Sequence, residues 1–581
     1  MFHIATRIAV IDRDVCTREE CGYRCIKVCP VNRMGKECIV KEEATGFPVI
    51  SEIFCIGCAL CVKKCPVHCI AIINLAHEIG KPMFQYGIND FRIYGLPLPK
   101  KQGAASLVGK NGIGKTTAIK LLSGQLKPNL GDTKLTEQQV KEQLSTDINR
   151  YFNGITEGVR ISSKPQYIDR VRDVFKGTVR ELLETAAKDI KPVVEKFKLK
   201  EILNRKIGQL SGGELQKVAI AVAATKDADL YYFDEVTNFL DIEERLRIGI
   251  LIKELADRKS VLLAEHDLTI LDYVSDYVYV MYGTENVYGI VSQIKNVRVG
   301  INEYLAGYLK EENVRFREYE IGFSGHSEGE VKTGVAVKYD ALKKSYEGFK
   351  FSSEPGEIRK GEIVGLVGKN ALGKSIFVKI LAGVEVADEG EQLGLKVSYK
   401  PQYITPDDKT VAETFASRKL DPTVLEECKR KLALNMLLDK RLTEISGGEL
   451  QRVALTLALS TEADAYLFDE PTAFLDIEQR FEFASLLRKV ISEKEKCAFV
   501  VDHDIVFIDA IANRLSVFEG TSSVNGHASA PFSKRQGMNA FLKITGITMR
   551  RDKDSRRPRI NKPGSMLDRE QKAAGEYYYS T

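Results

Sequence analysis

The sequence predicts an α/β protein in three parts: a small α+β domain rich in cysteine, followed by two tandem α/β domains that share one set of motifs. Ten of the 12 cysteines lie before residue 70. The pattern G-x4-G-K-[ST] occurs twice, and four further motifs follow each copy in the same order. At 581 residues the chain is about four times the usual domain size, so several separate cores are expected.

Composition narrows the class of protein. Hydrophobic residues make up 44% and charged residues 28%, which excludes a largely disordered chain. The 85 Lys and Arg against 80 Asp and Glu leave a net charge of only +5, so any basic surface for nucleic acid must be local. No apolar run is long enough to span a bilayer, and charged residues come too early for a secretory leader. We therefore expect a cytoplasmic protein without a membrane partner.

The cysteines form two runs that each end in Cys-Pro. The second run, Cys55-x2-Cys58-x2-Cys61-x3-Cys65-Pro66, is the bacterial ferredoxin pattern for a [4Fe-4S] cluster. The first run has the same order with longer spacing, Cys16-x4-Cys21-x3-Cys25-x3-Cys29-Pro30. In two-cluster ferredoxins the fourth cysteine of a run ligates the other cluster. The predicted ligand sets are therefore Cys16, Cys21, Cys25 and Cys65 for one cluster, and Cys29, Cys55, Cys58 and Cys61 for the other.

Two tetrahedral zinc sites are the alternative explanation of these eight cysteines. The three closely spaced thiolates before Cys-Pro favour iron–sulfur clusters, because they fit three corners of a cubane. Packing is the simpler role for the cysteines outside the runs, which are Cys38, Cys69, Cys428 and Cys497. A domain of about 70 residues with few large apolar side chains has little core, so we expect the clusters to hold it together.

Two phosphate-binding loops follow, GKNGIGKT and GKNALGKS. In this pattern backbone N–H groups surround phosphates at a helix N-terminus, the lysine reaches the terminal phosphates, and the hydroxyl binds Mg²⁺. The predicted ATP-binding residues of the first loop are Gly109, Lys110, Asn111, Gly112, Ile113, Gly114, Lys115, Thr116 and Thr117. Those of the second loop are Gly368, Lys369, Asn370, Ala371, Leu372, Gly373, Lys374 and Ser375.

Each loop is followed by four motifs at matching intervals. They are Lys-Pro-Gln-Tyr, Ser-Gly-Gly-Glu, Asp-Glu after an apolar strand, and His-Asp after another. From Gln to Ser is 45 residues in one half and 44 in the other, from Ser to Asp 23 in both, and from Asp to His 32 and 34. Such agreement indicates duplicated domains. The residues are Gln166, Ser211, Gly212, Gly213, Glu214, Asp234, Glu235 and His266, then Gln402, Ser446, Gly447, Gly448, Glu449, Asp469, Glu470 and His503.

This order of motifs resembles that of the ABC-type ATPases, for which Ser-Gly-Gly is close to diagnostic. One interval differs, because the loop-to-Gln distance is 57 residues in the first half and 34 in the second. The extra residues are expected within 132–160, a polar and helix-compatible stretch with an Asn-Gly break at Asn153–Gly154. A tolerated surface insertion and a partner-binding helix–loop–helix both remain open.

A second repeat lies outside the nucleotide motifs. Arg298-x-Gly300-x-Asn302-x2-Leu305 recurs as Arg535-x-Gly537-x-Asn539-x2-Leu542, and each copy leads into an arginine-containing stretch. The C-terminal stretch from Arg550 to Lys562 is strongly basic. A solvated tail is one explanation. A structural role between the domains, with contacts to RNA phosphates, is the other.

Taken together, the cysteine domain, the twin ATPase domains and the basic end resemble the ABC-E subfamily, the ribosome-recycling ATPases also described as RNase L inhibitors. CIGCALCVKKCP, LSGGELQKVA, ISGGELQRVAL and PRINK match that family's pattern, and the resemblance covers essentially the whole chain. It implies that the insertion is a helix–loop–helix and that the two Arg/Gly/Asn segments form a hinge. The predicted limits are 1–75 for the cluster domain, 76–292 and 331–528 for the ABC domains, and 293–330 and 529–581 for the hinge segments.

The chemistry expected of these residues is attack of water on a γ-phosphate, driven mainly by electrostatics. Asp234 and Asp469 would hold Mg²⁺ together with Thr116, Ser375, Gln166 and Gln402. Glu235 and Glu470 would polarise the attacking water, and His266 and His503 would contact the γ-phosphate. Tyr86, 23 residues before the first loop, is placed to stack on adenine, with core packing as the alternative.

The resemblance also implies a head-to-tail arrangement that sandwiches two ATP molecules, one between Lys115 and Ser446 and the other between Lys374 and Ser211. Closure would move the cluster domain as a lever and split the ribosome at its subunit interface. The implied partners are the ribosome with its small subunit and ribosomal RNA, a release or rescue factor, and initiation factors. The protein would then be cytoplasmic, with passage through the nucleus alongside ribosomal subunits.

Three rival functions were weighed: an iron–sulfur electron-transfer protein, a transporter ATPase, and a translation ATPase of the cluster-free type. The first lacks a flavin or nicotinamide motif, the second would not ordinarily carry a ferredoxin-like domain, and the third leaves eight cysteines unexplained. Two departures from the ABC pattern suggest unequal sites. Ala371 stands where the first loop has Gly112, and Val236 replaces the proline that Pro471 retains.

Overall fold

The computed structural model describes residues 6–75, 80–132, 134–166, 168–323, 334–390 and 394–578. The predicted boundary between the first hinge segment and the second ABC domain, at 330–331, lies outside the described residues. Within these ranges no helix is both long and apolar enough to cross a membrane.

The N-terminal domain is a small α+β unit with two antiparallel strand pairs. Its strands are β1 (Thr6–Ile11), β2 (Ile39–Lys41), β3 (Pro48–Ile50) and β4 (Ile70–Leu75), and its helices are α1 (Arg24–Val28), α2 (Pro30–Arg33) and α3 (Leu60–Lys64). β1 pairs with β4 and β2 pairs with β3. Seven of the 13 residues in its buried cluster are cysteines, so sulfur fills much of the space that apolar side chains fill elsewhere.

The first large domain is built on a mixed nine-stranded sheet. The strands are β5 (Phe84–Gln85), β6 (Arg92–Tyr94), β7 (Gly103–Val108), β8 (Ile161–Lys164), β9 (Leu230–Asp234), β10 (Ser260–Ala264), β11 (Tyr277–Thr284), β12 (Tyr288–Val291) and β13 (Lys295–Asn296). The helices are α4 (Lys115–Leu122), α5 (Glu137–Gln143), α6 (Thr146–Thr156), α7 (Asp169–Val174), α8 (Val179–Glu184), α9 (Lys191–Lys196), α10 (Gly212–Thr225), α11 (Ile242–Ala256) and α12 (Leu268–Val274).

A linker of α13 (Val297–Ala306), β14 (Tyr308–Leu309) and β15 (Val314–Arg315) leads to the second large domain. Its strands are β16 (Val335–Tyr339), β17 (Lys343–Tyr346), β18 (Phe349–Ser353), β19 (Gly356–Arg359), β20 (Ile363–Gly368), β21 (Val397–Lys400), β22 (Ala465–Asp469), β23 (Cys497–Val501), β24 (Arg514–Thr521), β25 (Asn525–Ala528) and β26 (Phe532–Ser533). Its helices are α14 (Lys374–Leu381), α15 (Val411–Ala416), α16 (Pro422–Lys431), α17 (Gly447–Ser460), α18 (Ile477–Glu493) and α19 (Ile505–Ile511). The chain ends with α20 (Lys534–Thr545), β27 (Met549–Arg551), β28 (Pro558–Ile560) and α21 (Met566–Ala574).

The two large sheets have the same strand order. In the first it is β5-β6-β12-β11-β7-β10-β9-β8, and in the second β17-β18-β25-β24-β20-β23-β22-β21. The strands that precede each phosphate loop lie in the middle of their sheets, and those that precede each Asp-Glu pair lie one strand from the edge. All four are paired in parallel and almost fully buried. Continuous apolar runs are typical of strands that are covered on both faces. The carboxyl ends of these strands therefore bring the motifs to one edge of each sheet.

The extra stretch in the first half forms the helices α5 and α6. Helix α6 is anchored because the Tyr151 hydroxyl donates to the carbonyl of Leu122 at 2.6 Å, and Phe152 packs against the domain core. The predicted break at Asn153–Gly154 is wrong, since α6 runs through it to Thr156 and the turn lies before α6 instead. Packing of the preceding aromatic side chains offsets the low helix propensity of the Asn-Gly pair.

The Arg/Gly/Asn repeat lies on the helices α13 and α20. Gly300 and Gly537 face the sheet so closely that a Cβ would lie 2.2 Å from Val278 and 2.6 Å from Leu515. Arg298 pairs with Asp552 at 3.1 Å, and Arg535 pairs with Glu576 at 3.1 Å. Each repeat therefore joins a large domain to the C-terminal segment.

In its described part, the basic C-terminal segment is not a solvated tail. Arg557 is fully buried and lies 3.5 Å from Asp272 of the first large domain. Arg559 contacts the same carboxylate at 2.5 Å and Asp552 at 3.2 Å. The segment thus braces the two large domains, the structural alternative that the sequence left open.

Candidate functional site

Each phosphate loop joins a buried central strand to a helix. Gly114 and Gly373 cap α4 and α14 with φ of 94° and 89°. A Cβ at either position would lie 2.7 Å from an aromatic ring, Phe91 or Phe351, so glycine is required for both its conformation and its size. The turn aims backbone N–H groups and the positive helix end at one point, which suits a phosphate.

The loop lysines are buried and curl back onto their own loops. Lys115 Nζ donates to the carbonyl oxygens of Gly109 at 2.9 Å and Lys110 at 2.5 Å, and Lys374 repeats this with Gly368 and Lys369. Burial lowers the pKa of both lysines, that of Lys374 to about 8. Because two backbone carbonyls neutralise only part of each charge, both lysines can exchange these partners for phosphate oxygens.

The Asp-Glu pairs end the strands β9 and β22. The Thr116 hydroxyl donates to Asp234 at 2.9 Å, whereas the two carboxylate oxygens of Asp469 are buried without a hydrogen-bond partner among the described residues. Burial, reinforced by Glu235, raises the pKa of Asp234 to about 6. A hydroxyl beside one buried carboxylate and unsatisfied oxygens on the other are oxygen donors that fit Mg²⁺.

Glu235 and Glu470 begin the segments that follow these strands, and both adopt a left-handed backbone with φ of 50° and 48°. Lysines that the sequence did not single out hold this backbone. Lys164 Nζ donates to the carbonyls of Asp234 at 2.6 Å and Glu235 at 2.8 Å, and Lys400 contacts the matching pair at 2.9 and 3.2 Å. The repeated Lys-Pro-Gln was the signal that could have identified them.

Both glutamates contact their predicted glutamine, but among the described residues only the second glutamate lies near its predicted histidine. Gln166 donates to Glu235 at 2.7 Å and Gln402 donates to Glu470 at 2.7 Å. His503 Nε2 lies 3.6 Å from Glu470, but both ring nitrogens of His266 are buried without a partner among the described residues. Burial lowers the pKa of His266 well below its usual range, so its ring is neutral. At Glu470 burial opposes ionisation, yet His503, Gln402 and Lys374 outweigh it and lower the pKa to about 2.

The Ser-Gly-Gly-Glu motifs begin the helices α10 and α17. Ser211 and Ser446 each accept a hydrogen bond from the backbone of the glutamate three residues later, at 3.3 Å, and that glutamate accepts one from the serine N–H at 2.8 Å. These capping boxes satisfy some of the free N–H groups at each helix start. Gly448 reaches the first phosphate loop, since a Cβ there would lie 4.0 Å from the Asn111 side chain.

Contacts between the large domains are reciprocal. The Asn111 N–H donates to Asp476 at 2.9 Å, and the Asn370 N–H donates to Asp241 at 2.9 Å. Lys110 pairs with Glu478 at 2.9 Å, and Lys369 pairs with Glu243 at 2.6 Å. Each phosphate loop therefore faces the start of a helix in the opposite domain, α18 for the first loop and α11 for the second. Sequence analysis missed these acidic residues, although the repeated Phe-Leu-Asp-Ile-Glu at 239–243 and 474–478 was available as a signal.

Tyr86 is 45% exposed beside the first loop, and its hydroxyl lies 3.2 Å from that of Thr117. This exposure fits a base-stacking surface better than core packing. Tyr346 holds the matching position in the second ABC domain. Tyr86 lies two residues after Phe84, which pairs with Ile93, and Tyr346 lies two residues after Lys344, which pairs with Phe351. It is also exposed and was missed, although it precedes the second loop by 22 residues, close to the 23 of Tyr86.

Ala371 does not distort the second loop. Its φ is 58°, close to the 67° of Gly112. A Cβ at Gly112 would lie 2.6 Å from the side chain of Glu285 and 2.7 Å from that of Asn286. At the second loop Ser522 and Ser523 occupy the corresponding turn, where Ser523 donates to the Ala371 carbonyl at 3.0 Å. Smaller neighbours make room for the methyl group.

The cysteines of one predicted ligand set surround a single cavity. Cys16, Cys21, Cys25 and Cys65 line one cavity, which Cys69 also borders. Burial is the main cause that raises the pKa of Cys25 to about 11, and the neighbouring thiols of Cys21, Cys16 and Cys65 add to it. Burial, followed by Cys55 and Cys58, raises that of Cys61 to about 12. Among the described residues no three His, Cys, Asp or Glu side chains converge on a single-ion site. Four thiols around a cavity suit a cluster, whose iron replaces the thiol protons.

Cys38 and Cys69 are buried beside these sets rather than apart from them. The Cys69 sulfur lies 3.4 Å from that of Cys65, and Cys38 is close enough to Cys29 and Cys55 for them to raise its pKa, after burial, to about 12. Cys428 and Cys497 are buried in the second large domain, which fits packing.

Comparison with known protein families gives two matches. The family described as "ABC transporter" matches residues 99–238 and 355–473. The family described as "Possible Fer4-like domain in RNase L inhibitor, RLI" matches residues 6–37. The domains are thus ATP-binding ABC domains preceded by an iron–sulfur domain.

Full-length relatives share this arrangement. An uncharacterized ABC transporter ATP-binding protein of Methanocaldococcus jannaschii is 47% identical over 99% of this chain and 97% of its own. The translation initiation factor RLI1 of Saccharomyces cerevisiae is 39% identical over 99% of this chain and 98% of its own. A solved structure described as "Model of ribosome-bound archaeal Pelota and ABCE1" contains a chain that is 46% identical, covers 99% of both chains and superposes with a TM-score of 0.92. The chain therefore belongs to the ABC-E, or RNase L inhibitor, family of ABC-type ATPases.

Proposed function

We propose that this protein is a cytoplasmic ATPase that binds the ribosome and splits it into subunits when ATP closes the two ABC domains. The observation that supports this most directly is the reciprocal contact of each phosphate loop with the opposite domain, through Asn111 with Asp476 and Asn370 with Asp241. A γ-phosphate bound on Lys115 would lie between the two domains, as would one on Lys374. ATP would then join the domains, and hydrolysis would release them.

In each site Mg²⁺ would be held by the loop hydroxyl, the aspartate and the glutamine, and it would neutralise charge on the transferred phosphoryl group. The protein groups for this are Thr116, Asp234 and Gln166 in one site and Ser375, Asp469 and Gln402 in the other. Glu235 and Glu470 orient the attacking water, and His266 and His503 contact the γ-phosphate. Tyr86 and Tyr346 stack on adenine.

The cluster domain contacts both ABC domains, as a lever driven by their closure requires. The buried side chain of Asn89, in the first ABC domain, donates to the carbonyls of Ala9 at 3.1 Å and Ile50 at 3.0 Å and accepts from the Ile50 N–H at 2.7 Å. Asp12 lies 3.9 Å from Lys440 of the second ABC domain. We assign two [4Fe-4S] clusters to this domain, with the crossed ligand sets, as structural elements that stiffen it.

The partners follow from the family. One relative is named a translation initiation factor, and another was solved as a ribosome-bound complex with Pelota. We therefore assign to this protein the ribosome, through its small subunit, subunit interface and ribosomal RNA, a release or rescue factor at the cluster domain, and initiation factors after splitting. The insertion of α5 and α6 offers a further ribosome contact. An electron-transfer role is disfavoured because the twin ATP sites would then have no purpose.

Replacing both glutamates, Glu235→Gln with Glu470→Gln, tests the chemistry. ATP binding should persist, while hydrolysis should fall by at least about a hundredfold because the amide cannot polarise water. Phosphate release and nucleotide retention are the measurements. Turnover at the unaltered rate would overturn the assignment of these residues.

Co-sedimentation tests the ribosomal role. With a non-hydrolysable ATP analogue the protein should sediment with small ribosomal subunits, and without nucleotide much less should do so. The double variant should remain bound when ATP itself is added. Binding that is the same with and without nucleotide would contradict the closure mechanism.

Iron and acid-labile sulfide analysis tests the clusters. Two clusters require about eight iron atoms and about eight sulfides per chain. Zinc without sulfide would overturn the assignment. Half of the expected iron and sulfide would indicate one cluster, and Cys21→Ser against Cys58→Ser would then identify which ligand set holds it.

A further inference from the structure

We propose that Asn238 is a positioning residue of the first ATP site, which holds Glu235 away from His266 and thereby slows γ-phosphate cleavage at that site. The inference rests on the proposed roles of Glu235 and His266. It concerns a side chain that none of the shared motifs includes.

In the first site both oxygens of the glutamate are held by amides. Gln166 Nε2 donates to Oε1 of Glu235 at 2.7 Å, and Asn238 Nδ2 donates to Oε2 at 2.7 Å. His266 is the counterpart of His503, and its two buried ring nitrogens have no partner in the described part of the chain. The carboxylate therefore points between two amides rather than toward the histidine.

The second site offers a natural comparison, because Ala473 stands where the first has Asn238. Gln402 makes the same 2.7 Å contact, but among the described residues no amide corresponding to that of Asn238 donates to the other oxygen of Glu470. His503 Nε2 lies 3.6 Å from Oε1 of Glu470, the same oxygen that Gln402 contacts. In the first site each oxygen of the glutamate thus accepts from an amide, whereas in the second an amide and a histidine lie at the same oxygen.

The position of Asn238 is fixed from both sides. The N–H of its neighbour Thr237 donates to the buried carboxylate of Glu265 at 3.0 Å. On the other side the ring of Phe239 packs 5.9 Å from that of Phe474 in the second domain. Because its neighbours are held, the amide cannot easily swing away from Glu235, and the glutamate must break this bond to reach the histidine.

The test uses the full-length protein in single-turnover assays, with only one site able to hydrolyse. In the Glu470→Gln background, Asn238→Ala should raise the rate of γ-phosphate cleavage at the first site about three- to tenfold, with ATP affinity unchanged. The gain should vanish when His266→Ala is added, since the freed glutamate then has no histidine to meet. A gain that survives without His266, or no gain at all, would overturn the proposal.

The reciprocal variant guards against a folding defect in Asn238→Ala. In the Glu235→Gln background, Ala473→Asn should slow cleavage at the second site about three- to tenfold, again with ATP affinity unchanged. An unchanged rate would count against the positioning role. If the Glu235→Gln, Glu470→Gln protein still hydrolyses ATP, the proposed base assignment itself is wrong. If that protein is inactive but the asparagine variants have no effect, only the present inference fails.

Discussion

Burial controls the charge of the phosphate-binding lysines, and this is where single residues have the clearest consequences. A lysine whose pKa is about 8, as at Lys374, is largely protonated at pH 7 but largely neutral at pH 9. A triphosphate requires the ammonium form, so nucleotide binding restores the proton. Lys115 is shifted in the same direction for the same reason.

We predict that ATP binding takes up protons at pH 9 and very few at pH 7. Above about pH 8 the affinity should fall as pH rises, by up to about tenfold per unit, because the neutral lysine must first be protonated. Calorimetric titration in two buffers with different ionisation enthalpies measures the proton uptake directly. Identical binding enthalpies in both buffers at pH 9 would contradict the lowered lysine pKa.

The residues to which we assign the chemistry were the easiest to single out, because their types and spacing repeat in both halves. Glu235 and Gln166 were recognised in this way, and the structure places them 2.7 Å apart. Lys164 and Asp241 were not, since a buried lysine and an aspartate have no signature until their partners are known. The partner of Asp241 is 129 residues away, in the other domain.

Among the structural elements, the cysteine domain depends most on a bound group. Its helices α1, α2 and α3 contain no more than five residues each, too short to be stable alone. Its buried cluster consists mainly of thiols, which pack with less apolar area than leucine or isoleucine. Metal-ligand bonds must therefore supply much of its stability.

Removal of iron should unfold residues 6–75 while both ABC domains stay folded. We expect chelation under oxidising conditions to expose β1 and β4 to hydrogen exchange and to proteolysis, with ATP binding retained. Cys58→Ser should weaken the cysteine domain in the same way. Cys428→Ser, in the core of the second ABC domain, should leave the iron content of the protein unchanged. A cysteine domain that stays protected after complete loss of iron would contradict this dependence.

At the level of elements the insertion shows the limit of local reasoning. Its composition predicts helical character, but the Asn-Gly pair predicts a break that the structure does not have. Tyr151 and Phe152 lie one turn earlier and pack on the domain core, which keeps α6 intact through Gly154. That packing comes from tertiary contacts, so no window of sequence contains it.

For the whole molecule, the contacts between domains decide how motion is transmitted. Asn89 is buried and adopts a left-handed φ of 56°. It joins the first ABC domain to the cluster domain through its side-chain amide, which bonds the backbone of Ala9 and Ile50, and through its carbonyl, which accepts from the Ile11 N–H. Arg92 adds a two-pronged pair with Glu52 at 2.7 and 3.1 Å. If the cluster domain works as a lever, these residues are its attachment.

Asn89→Ala should uncouple the cluster domain without altering the ATP sites. Loss of its hydrogen bonds leaves buried partners unsatisfied and should weaken the attachment by about 1–3 kcal/mol. We expect faster hydrogen exchange at Ile8–Ile11 and slower subunit splitting, with single-turnover ATP hydrolysis unchanged. Asn204→Ala, at an exposed position, is the matched control. Normal splitting by a variant with a detached cluster domain would refute the lever.

The sequence alone determined the fold class, the duplicated ABC domains and the residues of each ATP motif, because these follow from short patterns whose chemistry is local. It also divided eight cysteines into two predicted ligand sets, since the spacing pattern of cluster ligands lies within one short segment. Only the tertiary structure decided which aspartate meets which loop across the domain interface, that the basic C-terminal segment is buried, and that Asn238 makes the two glutamates unequal. Those features depend on contacts between residues far apart in the chain, and burial then fixes their charge and orientation.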